Sequence, residues 1–358
     1  MALLRTPTLV FIALTYRCNL CCRHCAVYGP HPACTDLDTG TWLSFFKELA
    51  DLKVFRLRLS GGEPFMRDDI WQILDTVDAL PMRWGINTNA MPIDAQGARR
   101  LRSYRRLDDI MVSLDGNALS HDAMRGRGAF ALARQGIAHL AAAGLPIMLY
   151  CTVTRCNKDH LEQVADLALE FKARAVKFND LLPAGRGLAN YRDLSLSRSQ
   201  WRDTLHTLRQ LRETHGPMIA GTILDTGDRY DAIARHTAGK QAPGEASCLC
   251  GCGTLINHCA VQPDGRITPC DRLPDLAVGN IVEHRFGEIW REAPAFAAFR
   301  ARRHLRLDEL PECRDCPYTG LCTGGCPAVP YALQGKIRAR DPLQCYRLFS
   351  GEETADAI

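Results

Sequence analysis

Apolar and polar positions follow two distinct patterns along the first half of the chain. From residue 8 to about residue 180, short apolar and β-branched runs alternate with longer segments in which apolar residues recur every three or four positions. The short runs are typical of buried strands, and the longer segments are typical of amphipathic helices. Six such steps predict an α/β fold, a partial TIM-like (β/α)6 barrel, open or closed, around a parallel sheet. The predicted strands are 8–14, 54–60, 83–88, 109–114, 147–153 and 174–179, and the predicted helices are 39–51, 68–80, 94–105, 128–143 and 158–171.

The second half of the chain has a different character. After residue 187 the alternation fades, a long helix is predicted over 197–214, and residues 239–247 have the composition of a linker. Ten of the 17 cysteines follow this linker, in a region rich in Gly and Pro that we expect metal to organise. We therefore expect a barrel domain over 1–235, a linker over 236–247 and a small cysteine-rich domain over 248–358.

Composition narrows the class of protein. The chain has 358 residues, 46% of them apolar and 23% charged, so it can bury a full core and is not disordered. Its 44 basic and 40 acidic residues are scattered, which argues against a nucleic-acid or membrane partner. The apolar run 7–14 lacks a signal-peptide cleavage site, and no run is long enough to span a membrane. We expect a cytoplasmic protein whose cysteines stay reduced and are available to bind metal.

The first cysteine cluster follows the first predicted strand. Cys18, Cys22 and Cys25 have the spacing C-x3-C-x2-C and lie on the loop at the carboxyl end of that strand, the functional face of a β/α barrel. Three thiolates are one fewer than a structural zinc site or a fully ligated iron–sulfur cluster requires, so the spacing suits a cluster with one open iron. The alternative is a zinc site with Cys21 or Cys34 as the fourth ligand.

Motifs at four successive strand ends resemble those of the radical SAM superfamily. Each motif is weak alone, but all four lie in the family's order on the face that carries the three cysteines. The matching segments are Arg17-Cys18-Asn19-Leu20-Cys21-Cys22-Arg23-His24-Cys25, Ser60-Gly61-Gly62-Glu63-Pro64, Asn87-Thr88-Asn89 and Ser113-Leu114-Asp115-Gly116, followed by Arg125.

This resemblance implies both cofactors and roles. The three cysteines are expected to hold a 4Fe–4S cluster whose open iron chelates S-adenosylmethionine (SAM). Reductive cleavage of SAM then yields a 5'-deoxyadenosyl radical that abstracts a substrate hydrogen. The glycine-rich turn and Glu63 are expected to hold the methionine ammonium, and Arg125 is the candidate partner of its carboxylate. The residues expected to bind SAM are Gly61, Gly62, Glu63, Pro64, Asn87, Asn89, Ser113, Asp115 and Arg125.

The C-terminal cysteines resemble the SPASM extension of radical SAM enzymes. Seven cysteines and Gly265 match its spacing, and the turn Pro263-Asp264-Gly265 is expected to bring Cys252 and Cys270 together. In the family this extension holds two auxiliary 4Fe–4S clusters, so three clusters are expected in all. One auxiliary cluster is expected on Cys313, Cys316, Cys322 and Cys345, and the other on Cys252, Cys270, Cys326 and a fourth ligand.

The identity of that fourth ligand is open. Cys248, Cys250 and Cys259 are all close enough in sequence, and we favour Cys248. If none of them coordinates, the cluster has an open iron for substrate. A zinc ribbon over 313–326 is the competing interpretation of the later spacings. Three cysteines lie outside all these groups and are expected to be buried free thiols: Cys34, Cys151 and Cys156.

Asp271 follows Cys270 directly and is a candidate proton acceptor. Sulfatase-maturing enzymes with a SPASM extension carry at the matching position an Asp that accepts the substrate proton during oxidation. A solvated Asp in a turn is the alternative interpretation. Four further polar residues are expected at strand ends on the same face: Tyr16, Tyr28, Lys177 and Asn179. Lys177 and Asn179 are equally well explained as ordinary contacts at the rim of the barrel.

The resemblance implies the function of a radical SAM/SPASM oxidoreductase-type enzyme that oxidises or cross-links a peptide or protein side chain. The alternative is radical oxidation, deoxygenation or decarboxylation of a small natural-product intermediate, such as a nucleoside or an aminoglycoside sugar. The first strand is predicted to begin at residue 8, which leaves no N-terminal leader-peptide-binding domain and favours a small substrate or a separate leader-peptide-binding protein. A reductant such as flavodoxin or ferredoxin is a further expected partner. The remote alternative is a non-catalytic iron–sulfur electron carrier, which has no need of a SAM-binding turn.

Overall fold

The strands of the protein are short, and the first six follow the predicted positions closely. The computed structural model describes residues 4–27, 35–239 and 245–351. Within these ranges the strands are β1 (Leu9–Ala13), β2 (Arg56–Ser60), β3 (Arg83–Thr88), β4 (Leu107–Ser113), β5 (Ile147–Val153), β6 (Ala175–Asp180), β7 (Ile219–Ala220), β8 (His258–Val261), β9 (Arg266–Thr268) and β10 (Gly279–Asn280).

Helices connect these strands and continue into the C-terminal region. In the described part of the chain the α-helices are α1 (Thr39–Asp51), α2 (Ile70–Ala79), α3 (Ala95–Ser103), α4 (Ala118–Arg125), α5 (Ala129–Ala142), α6 (Leu161–Glu170), α7 (Gly185–Ala189), α8 (Tyr191–Leu194), α9 (Arg198–His215), α10 (Thr222–Ala238), α11 (Phe286–Glu292), α12 (Pro294–Ala301), α13 (Ala328–Gln334) and α14 (Tyr346–Ser350). Short 3-10 turns lie at Pro64–Met66, Gly216–Met218, Arg302–His304, Leu307–Glu309, Pro311–Cys313 and Pro342–Gln344.

The described strands form one sheet in the order β10-β9-β8-β1-β2-β3-β4-β5-β6-β7. Strands β1 to β6 each run parallel to the next, with at least one helix between successive strands. This arrangement confirms the predicted α/β fold and its six strand-and-helix steps. Because the six strands point the same way, the loops that follow them meet at one edge of the sheet.

Strand β8 joins the C-terminal region to the barrel. It pairs parallel to β1, with Leu9 opposite His258, and it forms an antiparallel hairpin with β9. Gly265 lies in the hairpin turn at φ +84°, in the left-handed region that glycine tolerates best. Regular structure was not expected in this region from the sequence, because a strand of four residues gives almost no periodic signal.

The helices pack on the outside of the sheet, and alternate strand positions face the two sides. Val10 and Ile12 of β1 are fully buried in the main apolar core together with Trp42 and Phe46 of α1, whose rings stack 5.8 Å apart. Phe11, between the two aliphatic residues, points the other way and lines the interior of the barrel. The interior of the barrel is therefore lined by a second set of side chains, which form the site described below.

Local signals explain where several helices begin. Asp94 caps α3 by accepting a hydrogen bond from the Gly97 amide at 2.7 Å. Asp69 directly precedes α2, but its carboxylate pairs with Arg67 instead of capping the helix. Helices α4 and α10 were not predicted from the sequence. No helix in the described ranges is long and apolar enough to cross a membrane.

Candidate active site and cluster-binding cysteines

A cavity of about 550 Å³ occupies the interior of the barrel. Its wall includes alternate residues of neighbouring strands, among them Tyr150 and Thr152 of β5 and Lys177 and Asn179 of β6. Two groups of cysteines line this central cavity, although they are far apart in sequence. They are the first cysteine group (Cys18, Cys22 and Cys25) and the inner cysteine group (Cys252, Cys270 and Cys326).

The loop that carries the first cysteine group is partly buried. Cys22 is 7% exposed, and Cys18 and Cys25 are half-buried, whereas Cys21 is exposed. Burial raises the pKa of the Cys18 thiol to about 11 and also raises the pKa of Cys22. Three thiols that line one cavity suit an iron–sulfur cluster with one open iron, which would hold them as thiolates.

The glycine-rich turn after β2 docks directly on this cysteine loop. The Gly62 amide donates to the Thr15 carbonyl at 2.7 Å, and the Glu63 amide donates to the Arg17 carbonyl at 2.9 Å. A Cβ at position 62 would lie less than 3.0 Å from the Arg17 carbonyl oxygen, and Gly61 has φ +136°. Both glycines are therefore required for the close approach of two backbone segments, one of which leads directly into Cys18.

We expect Gly62→Ala to lower the free energy of unfolding by roughly 1–3 kcal/mol and to impair SAM cleavage. The added methyl group forces the turn away from the loop that positions the first cysteine group. Urea unfolding of the anaerobic protein and formation of 5'-deoxyadenosine measure the two effects.

Gly144→Ala is the matched control, because a Cβ there meets no atom within 4 Å although φ is +66°. It should cost some stability through backbone strain alone and leave SAM cleavage at the parent rate. Equal SAM cleavage in both variants would contradict the docking role of Gly62.

The Glu63 carboxylate lies behind the turn, outside the lining of the central cavity. It is fully buried and accepts hydrogen bonds from the Asn89 amide at 2.7 Å, the Thr88 hydroxyl at 2.8 Å and the Phe65 amide at 3.2 Å. Burial raises the pKa of Glu63 to about 7 despite these three donors. Glu63 thus joins the ends of β2 and β3, and buried Pro64 begins the 3-10 turn that follows. Its expected contact with the methionine ammonium remains a prediction.

Asn87 at the end of β3 offers an unsatisfied polar atom to the central cavity. Its Oδ1 is buried without a hydrogen-bond partner among the described residues, and the residue lines the cavity beside Asn89 and Ser113. Buried polar atoms in proteins are almost always paired. A polar ligand that donates a hydrogen bond to Asn87 fits this position, as the hydroxyl and amino groups of SAM do.

Asp115 and Arg125 form a buried ion pair beside the first cysteine group. Arg125 Nε donates to Asp115 Oδ2 at 2.6 Å, and Arg125 Nη1 lies 3.7 Å from Cys22 Sγ. Burial alone would raise the pKa of Asp115, but the Arg125 guanidinium and nearby His24 lower it to about 2. Arg125 lines the cavity with its charge already paired, and Asp115 does not line it. The predicted SAM contacts of both residues are untested.

The remaining SPASM cysteines form an outer cysteine group. A small cavity between the 3-10 turns and α14 brings its four thiols together, beside Arg340, whose Nη1 lies 3.4 Å from Cys345 Sγ. Cys322 and Cys326 are only four positions apart, yet they line different cavities. The members of the outer cysteine group are Cys313, Cys316, Cys322 and Cys345.

The candidates for the fourth ligand of the inner cysteine group lie in three different surroundings. Cys259 is fully buried on β8 beside Val10, on the core side of the sheet, and burial raises its pKa. The backbone of Cys248 forms an isolated antiparallel β-bridge with Arg306. Neither Cys248 nor Cys250 is among the described residues that line the two cysteine cavities. The assignment of Cys248 therefore stays a prediction.

His258 is a site residue that the sequence did not indicate. It lines the central cavity, and the Thr254 hydroxyl lies 3.0 Å from Cys252 Sγ and 3.1 Å from His258 Nε2. Burial alone raises the pKa of Cys252, but hydrogen bonds from His258 and Thr254 lower it to about 7. These contacts stabilise the thiolate form that a cluster requires. Among the described residues no three side chains of the metal-binding types converge on a single metal ion.

Asp271 and Arg272 come directly after Cys270 of the inner cysteine group in the sequence, and both line the central cavity. The Asp271 carboxylate is exposed where it faces the cavity and lies 3.5 Å from Cys270 Sγ. Tyr16 donates from its hydroxyl to Gln262 at 3.2 Å.

The cysteines outside the three groups lie in different surroundings. Cys151 is fully buried and accepts a hydrogen bond from Asn157 at 3.6 Å, whereas Cys156 is half-buried. Cys34 and Tyr28 lie outside the described residues.

The sequence matches two family models. Residues 12–168 match the radical SAM superfamily, and residues 250–317 match SPASM, an iron–sulfur cluster-binding domain. Together the two models cover β2 to β5, the hairpin of β8 and β9 and the start of the cysteine-rich region, and β6 lies between the matched ranges.

Three relatives align along nearly the whole chain. A PqqA peptide cyclase of Methylocella silvestris is 29% identical over 94% of this chain and 87% of its own length. A mycofactocin maturase MftC of Mycolicibacterium smegmatis is 30% identical over 95% of this chain and 83% of its own. An AdoMet-dependent heme synthase of Methanosarcina barkeri is 31% identical over 97% of this chain and 98% of its own.

The fold has counterparts among solved structures. Streptococcus suis SuiB bound to its precursor peptide SuiA superposes with a TM-score of 0.74, at 16% identity, over 96% of this chain and 76% of that one. At this identity the likeness concerns the fold. Together with the family models and the relatives, it means that the chain belongs to the radical SAM superfamily, with a SPASM domain, and is an enzyme that binds SAM and 4Fe–4S clusters.

Proposed function

We propose that this enzyme carries out a radical oxidation or cross-linking of a peptide side chain. The observation that carries the proposal is the central cavity, which joins the first cysteine group, the inner cysteine group and Asp271 in one space. Two of the relatives are named for peptide cyclisation and for mycofactocin maturation, and SuiB binds a precursor peptide. The first and the inner cysteine group line the same cavity. This arrangement suits a substrate that loses a hydrogen atom near the first group and an electron to the cluster of the inner group.

The residues have separate tasks in this proposal. SAM and the cluster of the first cysteine group, when bound, supply a 5'-deoxyadenosyl radical that abstracts a hydrogen atom from the substrate. The docked turn at Gly61 and Gly62 holds the cysteine loop in place, and Asn87 orients SAM through its unpaired Oδ1. The Asp271 carboxylate accepts a proton from the substrate. The barrel wall keeps water away from the reacting atoms.

We assign three clusters to the three cysteine groups, with Cys248 completing the inner group. The assignment divides the chain into a radical SAM core over 1–235, a linker over 236–247 and a SPASM domain over 248–358. Residues 240–244 of the linker lie outside the described residues. A reductant such as flavodoxin or ferredoxin, and a separate leader-peptide-binding protein, are the proposed protein partners.

The direct test is an anaerobic reaction of the reconstituted enzyme with SAM, dithionite and synthetic copies of any short peptides that a search of the DNA beside its gene identifies. We expect one peptide to lose two hydrogen atoms or to gain an internal cross-link, with formation of 5'-deoxyadenosine in proportion. Mass spectrometry of the peptide measures the change. Deoxyadenosine that forms while every peptide stays unmodified would contradict the proposal.

A small-molecule substrate is the second candidate. It is favoured by the AdoMet-dependent heme synthase, which aligns over 98% of its own length with this chain. Under this alternative the same assay leaves all peptides unchanged, and a small acidic or tetrapyrrole compound added in their place is consumed.

The cluster assignment predicts different iron contents for neighbouring cysteine variants. Cys270→Ser should remove one cluster, or about 4 iron atoms of about 12 per chain, because Cys270 lines the central cavity. Cys259→Ser is the matched control on the core side of the sheet and should keep the parent content. Iron analysis of the reconstituted proteins checks both values.

The same count for Cys248→Ser tests the fourth ligand. An iron content that falls as it does for Cys270→Ser supports Cys248 as the fourth ligand. An unchanged iron content removes Cys248 from the assignment.

A further inference from the structure

Two cations on the wall of the central cavity have no side-chain hydrogen bond or ion pair within the part of the chain that the structure describes. Five basic side chains line the cavity: Arg58, Arg125, Lys177, Arg186 and Arg272. Arg58 pairs with Asp109, Arg125 pairs with Asp115, and Arg186 donates to the Cys22 carbonyl at 2.9 Å. Lys177 and Arg272 have no side-chain hydrogen bond or ion pair among the described residues.

Both cations lie on the same part of the wall. Lys177 is opposite Tyr150 in the register of β6 and β5. Burial raises the pKa of Tyr150 and of half-buried Asp180 at the end of β6, and the charge of nearby Arg272 opposes both rises. Lys177 on the adjacent strand and Arg272 in the SPASM domain are therefore both neighbours of Tyr150.

The carboxylates on this part of the wall do not neutralise both cations. Asp180 already accepts hydrogen bonds from Trp201 Nε1 at 2.8 Å and from the Thr222 hydroxyl at 3.0 Å. Asp271 precedes Arg272 in sequence and acts on it electrostatically, as do Cys270 and Cys326, but no salt bridge joins Asp271 to Arg272 among the described residues. The side-chain N–H donors of Lys177 and Arg272 therefore face the cavity without an acceptor in the described part of the chain, and a ligand that supplies an anion satisfies them.

SAM does not supply that anion in this arrangement. The glycine-rich turn and Asn87 lie at the ends of β2 and β3, and Ser113 at the end of β4 is opposite Tyr150 in the register of β4 and β5. SAM carries one carboxylate, whose predicted partner is Arg125, whereas Lys177 lies on β6.

We propose that Lys177 and Arg272 bind a carboxylate of the substrate. The modified group then lies next to an acidic side chain or a C-terminal carboxylate, and Tyr150 adds a hydroxyl donor between the two cations. This inference deepens the proposed function and rests on it only in that the substrate enters the central cavity. It applies to a peptide and to a small acid alike, because the recognised chemistry is the carboxylate.

Three small probes test the proposal without knowledge of the natural substrate. N-acetyl-glutamate α-methylamide carries a side-chain carboxylate, N-acetyl-glutamine carries a terminal carboxylate, and N-acetyl-glutamine α-methylamide carries none. Saturation-transfer NMR with anaerobic, reconstituted, SAM-loaded enzyme gives their dissociation constants. We expect at least one acidic probe to bind about tenfold more tightly than the neutral probe, and the comparison of the two acids identifies the source of the carboxylate.

Variants separate the two cations from the rest of the protein. Lys177→Gln and Arg272→Gln should each weaken binding of the preferred acid about tenfold, Lys177→Arg should retain most of the preference, and SAM affinity should stay within about twofold of the parent. Lys158→Gln and Arg134→Gln are matched controls, because these side chains pair with Asp159 and Glu170 outside the cavity lining. Iron content verifies that each variant is folded and loaded.

Several results would overturn the inference. They are equal binding of acidic and neutral probes, no binding of any probe to the parent, or acid preference that survives in both Gln variants. Modification of a peptide without any acid preference would overturn the inference alone. Lys177-dependent acid binding by an enzyme that leaves all peptides unmodified would overturn the peptide proposal alone.

Discussion

Replacement of Cys18, Cys22 and Cys25 together by Ala is expected to abolish SAM cleavage and to lower iron from about 12 to about 8 atoms per chain. The three thiols line the central cavity beside the docked turn, where Cys22 is buried and Cys18 and Cys25 are half-buried. Without them there is no cluster to deliver an electron to SAM, so the loss of activity should be complete. Iron and acid-labile sulfide analysis, with assay of 5'-deoxyadenosine, measures the effect.

Cys21→Ala is the matched control for the triple variant. Cys21 lies in the same loop, but it is exposed and does not line the cavity. The control should retain all the iron and the parent rate of SAM cleavage. A parent protein with only about 4 to 8 iron atoms, or with stoichiometric zinc, would contradict the three-cluster assignment and return the C-terminal cysteines to a structural role.

Asp271→Asn is expected to lower product formation by about 100-fold or more, while SAM is still cleaved in the presence of substrate. The carboxylate faces the cavity next to Cys270, where it can accept a proton that an amide cannot. Simultaneous assay of modified substrate and of 5'-deoxyadenosine separates hydrogen abstraction from the later proton transfer.

Asp275→Asn provides the comparison for this variant. Asp275 is an exposed residue of the same loop and does not line the central cavity. Product formation should match the parent in this control. Equal product formation by the Asp271 and Asp275 variants would show that Asp271 is a solvated turn residue and not the proton acceptor.

The barrel could be predicted from the sequence because its signals are local. Strand β1 is a continuous apolar run, β2 alternates polar and apolar residues, and helices such as α1 carry apolar residues at three- and four-residue spacing. The same local reasoning failed for β8, whose four residues are stabilised by pairing with β1 far away in sequence. It also failed for α4, an eight-residue helix that ends at Arg125.

The site was predictable in its positions but not in its pairings. The motifs placed the cysteine loop, the turn and Asn87 at the same sheet edge. They gave no indication that Asp115 engages Arg125, or that Glu63 is held by Thr88 and Asn89. Contacts of this kind depend on how separate loops fold against one another, which residue spacing does not encode. The resemblance did assign Cys322 and Cys326 to different clusters, and the two residues line different cavities.

The pairing of β1 with β8 has a consequence for the biogenesis of the enzyme. Thr8 donates from its hydroxyl to the Asn257 carbonyl across 249 positions of sequence. During translation, β1 therefore remains an open sheet edge until the ribosome has released most of the chain. The first cysteine group is accessible to iron–sulfur assembly factors throughout that interval, whereas the wall formed by the SPASM domain closes last. Nascent chains that stall before residue 258 retain this open edge and are the species most exposed to oxygen and aggregation.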